Sequence, residues 1–208
     1  IPAQKLSPGQ SLFWTLLFGI LFILSSYAYN LTTFLCSLPV LLILALYPLT
    51  KKVTWACHLY LGFCLSLSPV AASVALGQGF QGTSFLIALA VLFWVCGFDI
   101  IYATQDVNFD QKEKLYSIPA YFGVKKALFL SKACFVLMIF FLAWLGHSQN
   151  LGMFYQIGLI TISFILFYEH YSLAQMSSFD SINPIFFTAN AWVSVIFFCF
   201  VCLDSLWR

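Results

Sequence analysis

Three carboxylates, Asp99, Asp106 and Asp110, are spaced so that one continuous helix would line them up. Asp106 and Asp110 are four residues apart, about 40° from alignment, and Asp99 is seven before Asp106, about 20° from alignment. Like charges on such a stripe repel one another. Asp99 also lies inside an apolar run, where a charge costs roughly 2.5–3.5 kcal/mol on insertion scales. A divalent cation would relieve both costs, and hard oxygen ligands on one face, with room for water and phosphate oxygens, suit Mg²⁺. A solvated helix end, its acids neutralised by Lys112 and Lys114, is the alternative, and the spacing leaves both open. A basic element, Tyr47-Pro48-Leu49-Thr50-Lys51-Lys52, reads in isolation as an anchor at a membrane surface. Beside a carboxylate-bound Mg²⁺, Lys51 and Lys52 would instead complete a diphosphate site as point charges. Together the two elements suggest a membrane enzyme acting on a lipid-linked diphosphate.

The elements that must position these groups follow from composition. Of 208 residues, 62% are hydrophobic and 8% charged, against about 25% charged in an average soluble domain. That excludes a soluble globular protein, a disordered chain and a nucleic-acid-binding domain, and leaves an all-α polytopic membrane protein in one domain, residues 1–208. Seven apolar runs are long enough to span a bilayer: Ser11 to Tyr29, Leu31 to Leu49, Trp55 to Leu76, Thr83 to about Thr104, Val124 to Leu145, Leu151 to about Tyr168, and Pro184 to Leu203. Lys5, Lys51, Lys52, Lys112, Lys114, Lys125, Lys126 and Lys132 fall on one side of that map and Arg208 alone on the other, which assigns the lysine side to the cytoplasm. Asp99, Asp106, Asp110, Glu113, Glu169 and Asp180 gather there as well, with Asp204 opposite. Topology needs lysines on one side but not carboxylates, so their excess points to a polar site at that face. The seven cysteines, in or beside apolar runs, read as packing residues, Cys199-x-x-Cys202 included. His58, His147 and His170 fall in separate segments and read as hydrogen-bonded structural groups.

Taken together, Asp99-x-x-Tyr102-Ala103-x-Gln105-Asp106-x-x-x-Asp110 and Leu115-x-Ser117-x-Pro119-x-x-Phe122-Gly123 resemble the second Asp-rich motif of the intramembrane aromatic prenyltransferases, the UbiA superfamily, and most closely its 4-hydroxybenzoate polyprenyltransferase branch. Ile1-Pro2-Ala3-x-Lys5-x-Ser7 is similar to the segment that follows the first Asp-rich motif of that family. Tyr47-Pro48-x-x-Lys51-Lys52-x-Thr54, with Leu61-Gly62 downstream, is similar to its Tyr-Pro-basic loop, and Ile182-Asn183-x-x-Phe186-Phe187-x-x-Asn190 to its last helix. The chain departs from the pattern at Lys114, where the family commonly has Gly, at Tyr116, often basic or His, and at Lys51-Lys52, often Lys-Arg.

The resemblance implies a nine-helix fold in which Mg²⁺ bridges two Asp-rich motifs to a polyprenyl diphosphate. A polyprenyl group would pass to an aromatic acid such as 4-hydroxybenzoate, in quinone biosynthesis, at the cytoplasmic side of a bacterial inner membrane. By resemblance, Asp106 and Asp110 hold the metal with Asp99 as ligand or support. Asp106, Asp110 and Lys52 are the catalytic set, and Tyr47, Lys51, Lys52, Tyr102, Lys114 and Ser117 bind substrate. Beginning at Ile1 rather than Met, the chain is expected to be a piece of a longer protein, seven of nine helices, lacking the first two and the first Asp-rich motif. Alone it is expected to be inactive. Prenylation of another quinone or haem precursor is the neighbouring reading, and an ion-coupled transporter the reading from another class.

Overall fold

The computed structural model describes residues 7–175 and 184–207; Ile1, Pro2, Ala3, Lys5, Asp180, Ile182, Asn183 and Arg208, which entered the topology and motif readings, lie outside them. Among the described residues there are nine helices and no strand. Seven are long: α1 (Pro8–Tyr27), α2 (Leu31–Thr50), α3 (Cys57–Ala75), α4 (Gly82–Tyr102), α7 (Val124–Ser148), α8 (Met153–Ala174) and α9 (Pro184–Trp207). Two are short, α5 (Val107–Lys112) and α6 (Ile118–Phe122). The long helices coincide with the seven expected spans. Six are apolar and long enough to cross a membrane. The other, α8, has the length at 22 residues but carries Gln156, Glu169 and His170, of which Glu169 and His170 turn into the bundle.

Each long helix packs on its sequence neighbours, and α4 is the hub, lying against both α3 and α7. The surface is inverted relative to a soluble protein. α1 and α2 bury only Ser26 and Ser37 while Phe13, Phe18, Leu24, Leu35 and Leu42 face outward, as lipid contact requires. Each buried serine is satisfied within its own helix, Ser26 Oγ donating to Ile23 O at 2.6 Å and Ser37 Oγ to Phe34 O at 2.7 Å. Small self-satisfied residues let apolar helices approach without leaving a polar group unpaired.

Side-chain caps tie the far end of the bundle. Asn30 caps α2 by accepting from Thr33 N–H at 2.8 Å and donates to Val74 O at the end of α3 at 2.9 Å. Asp204, the one acid assigned to that side, reaches from α9 to the start of α8, accepting from Gly152 N–H at 2.8 Å and Tyr155 N–H at 3.2 Å. A carboxylate on the positive end of a helix is favourable electrostatically as well as by hydrogen bonding.

α3 and α4, which carry His58, Asp99 and Tyr102, meet at Gly62. A Cβ there would run into the backbone carbonyl oxygen of Leu92 on α4, so only hydrogen at this position lets α3 and α4 come together. Gly62→Ala is therefore expected to push them apart and cost about 1–3 kcal/mol, visible as a lower thermal unfolding midpoint in detergent.

Candidate functional site

α4 does not continue through the carboxylates. It ends at Tyr102, and just beyond that end the Thr104 hydroxyl donates to Ile101 O at 2.6 Å. That carbonyl would otherwise accept from Gln105 N–H in a continuing α-helix. The chain tightens into i→i+3 bonds, Thr104 N–H to Ile101 O, Gln105 N–H to Tyr102 O and Asp106 N–H to Ala103 O, before α5 begins. The expected three-carboxylate stripe is thus broken, and among the described residues no three acidic, His or Cys side chains gather in one cluster.

Each carboxylate meets a different fate. Asp99 turns to α3, its Oδ2 lying 2.7 Å from His58 Nδ1. The other ring nitrogen of His58, Nε2, accepts the Ile118 N–H at 3.2 Å. A backbone amide can only donate, so Nε2 carries the lone pair and the proton sits on Nδ1, donated to Asp99. This intramembrane carboxylate therefore has an imidazole as its partner on the neighbouring helix. Asp110 is wholly buried, and its Oδ1 lies 2.8 Å from Lys51 Nζ. Asp106 is 61% exposed and stands 4.0 Å from the same ammonium. Lys51 is the lysine of the pair that turns to the carboxylates; Lys52 lies exposed in the turn beyond it.

Backbone contacts hold these pieces in register. Tyr116 N–H donates to Lys51 O at 2.7 Å, and Cys57 Sγ donates to Tyr116 O at 3.5 Å. With the His58–Ile118 bond, these make the α2–α3 turn the seat on which the α5–α6 segment rests. The result is a basin of about 260 Å³ lined by Tyr47, Lys51, His58, Asp99, Tyr102 and Asp106. The basin thus gathers Tyr47, Lys51, Asp99, Tyr102 and Asp106 from the expected site. Asp110, Lys52, Ser117 and Lys114 do not line it. Ser117 is wholly buried and caps α6, accepting from Ala120 N–H at 3.3 Å. Lys114 lines a neighbouring recess with Asp110, Gln111 and Tyr116.

Lys114 has a φ of 53°, the left-handed conformation that glycine adopts freely and other residues at a cost of roughly 1–2 kcal/mol. This gives a physical reason for the glycine expected there by resemblance. Two residue sets escaped the sequence reading. His58 is one; its signal was its place in the first turn of a span, on the lysine side. The other is a buried relay beside Tyr102. Trp94 Nε1 donates to Asn190 Oδ1 at 3.3 Å and Asn190 Nδ2 to Glu169 Oε1 at 3.4 Å. Glu169 itself lies within electrostatic reach of the Tyr102 phenol.

The fold is that of an intramembrane helix bundle with an acid–lysine basin at one mouth, and comparison with known proteins places it. The UbiA prenyltransferase family model matches residues 1–191, and the chain belongs to that family, whose members are integral membrane proteins. It is 27% identical over 204 residues to the 4-hydroxybenzoate octaprenyltransferase of Tolumonas auensis, covering 98% of this chain and 70% of that one. Proteins with the same name match from Francisella tularensis subsp. novicida, 27% identical across 81% of this chain, and from Chromohalobacter salexigens, 28% identical across 86%. The chain spans 58% of the length of each of these two. In structure it is similar to an apo UbiA homolog from Aeropyrum pernix K1, with a TM-score of 0.84 and 23% identity over 98% of this chain and 75% of that one. An ion-coupled transporter is not favoured by these relationships.

Two substitutions test the geometry. His58→Phe keeps an aromatic ring but leaves Asp99 and the Ile118 N–H unpaired, and should cost about 2–4 kcal/mol in detergent unfolding. Lys114→Gly should leave stability unchanged or raise it by up to about 1 kcal/mol, whereas Lys114→Val should lower it.

Proposed function

We propose that the whole protein transfers a polyprenyl group from its diphosphate to a small hydroxylated aromatic acid, 4-hydroxybenzoate being the acceptor named for the relatives, in quinone biosynthesis. The observation that carries the reading is the Lys51 ammonium set between Asp106 and Asp110 at the mouth of an apolar bundle. Anion-binding and cation-binding groups meet there at the edge of an interior that can hold a prenyl chain.

The residues fit a Mg²⁺–diphosphate pair. Oδ1 of buried Asp110 is held by the Lys51 ammonium while Oδ2 has no hydrogen-bond partner, and an unanswered oxygen is costly for a buried carboxylate. Two carboxylates with phosphate oxygens and water are a usual Mg²⁺ donor set. Bound there by Asp106 and Asp110, Mg²⁺ would supply positive charge that stabilises the departing diphosphate. Lys51 adds a point charge to the same diphosphate, and Lys52, exposed beside it, meets the substrate as it arrives. The allylic carbon–oxygen bond breaks with its electron pair leaving on the diphosphate. A ring carbon beside the phenolic hydroxyl takes the cation and loses its hydrogen as a proton. Tyr47 and Tyr102, which line the basin, are aromatic groups of the kind that stabilise a cationic carbon, and the apolar bundle keeps water from quenching it. Asp99, held by His58, orients the basin wall. The lysine excess at this mouth supports a cytoplasmic-facing site in a bacterial inner membrane.

In the whole protein, Asp106→Ala, Asp110→Ala and Lys51→Ala should each lower prenyl transfer about 100-fold or more, measured as labelled 4-hydroxybenzoate incorporated by membranes of a host lacking its own enzyme. Asp99→Asn and Lys52→Ala should be milder. Near-normal transfer by both Asp106→Ala and Asp110→Ala would overturn the reading.

A further inference from the structure

Between α7 and α8, toward the lysine-bearing end of the bundle, lies an apolar crevice of about 570 Å³ walled by Leu128, Val136, Ile139, Leu166 and Phe167. That volume falls within the range of ligand sites, about 300–1,000 Å³. The crevice opens outward: Phe129 is 71% exposed and Phe167 65%. It is separate from the basin. Ser131 on α7 points to α4, its hydroxyl donating to Gly97 O at 2.8 Å, and the next residue, Lys132, is turned about 100° away and lines the crevice.

Charge distinguishes this crevice from an ordinary lipid-facing groove. Lys132 stands eight residues into α7, about 12 Å below its start. A lysine at that depth must reach the interface or find an anion. Among the described residues the lysine–carboxylate ion pairs are those of Lys51 with Asp106 and Asp110, and Lys132 is in neither of them. Lys125, in the first turn of α7, is seven residues earlier and therefore on the same face, with Phe129 midway along the stripe. When Lys132 extends toward the interface, its ammonium rises toward the level of Lys125. Two cations then share the top of one hydrocarbon slot.

We propose that this crevice binds an anionic phospholipid, an acyl chain lying between α7 and α8 and the phosphate held by Lys125 and Lys132. A zwitterionic lipid would fill the slot equally well but would leave the two ammonium groups without a net counter-charge. Basic pockets between transmembrane helices recognise anionic headgroups on this principle.

The test uses the whole protein in detergent, titrated with phosphatidylglycerol or phosphatidylcholine, with bound lipid counted by native mass spectrometry. The wild type should bind phosphatidylglycerol the more tightly. The double variant Lys125→Ala/Lys132→Ala should bind it about thirtyfold more weakly with phosphatidylcholine binding unchanged. Lys125→Ala alone, in the exposed first turn, should lose about fivefold and serves if the double variant does not fold. Val136→Trp, which fills the crevice but keeps both charges, should weaken both lipids. Equal binding of the two lipids by the wild type, unchanged phosphatidylglycerol affinity in the lysine variants, or indifference to Val136→Trp would each overturn the proposal.

Discussion

A carboxylate enclosed by apolar helices must find a partner, because an unpaired charge in a low-dielectric interior costs several kcal/mol. Much of this bundle's architecture is the working out of that constraint. Asp99 takes the Nδ1 proton of His58, Asp110 takes the Lys51 ammonium, Asp204 takes the N-terminal amides of α8, and Glu169 takes the Asn190 amide. Each solution joins two elements distant in sequence. The polar groups thus act as the specific fasteners of a bundle whose apolar surfaces would otherwise slide against one another and against lipid.

The fasteners differ in completeness, and that difference separates structure from function. Asp204 is saturated by backbone donors and closes a helix end. Asp110 keeps one oxygen without a hydrogen bond beneath an ammonium that also reaches Asp106. An arrangement with an unused acceptor and a shared cation is suited to exchanging one positive partner for another, as binding a metal–diphosphate pair demands. The close approach of α3 to α4 at Gly62 and the Tyr116–Lys51 backbone bond keep that arrangement from relaxing into full solvation.

Breaking α4 at Tyr102 is what allows the division of labour. On an unbroken helix the three aspartates would repel one another along one stripe. With the break, Asp99 stays in the span as a wall group, Asp106 stands at the rim and Asp110 folds beneath Lys51. The segment returns to α7 through Lys114, whose left-handed backbone shows that the turn here is dictated by geometry before side-chain chemistry.

From the sequence alone, the helices and their end-to-end order were legible, because apolar runs about 20 residues long have few alternatives in a bilayer and lysine asymmetry orders their ends. The basin's ingredients were legible too, since a carboxylate inside an apolar run or a Tyr-Pro-Lys-Lys turn stands out against such a background. The pairing of those ingredients was not. Whether Lys51 or Lys52 turns inward depends on where the α2–α3 turn meets the α5–α6 segment. His58 became the partner of Asp99, and Ser117 a helix cap, only when α3, α4 and α6 were brought together. The end of α4 at Tyr102 turns on a few backbone bonds, a difference too small for periodicity to register. Local pattern sets which segments are helices; which charge answers which is a property of distances between helices, and only the tertiary structure decided it.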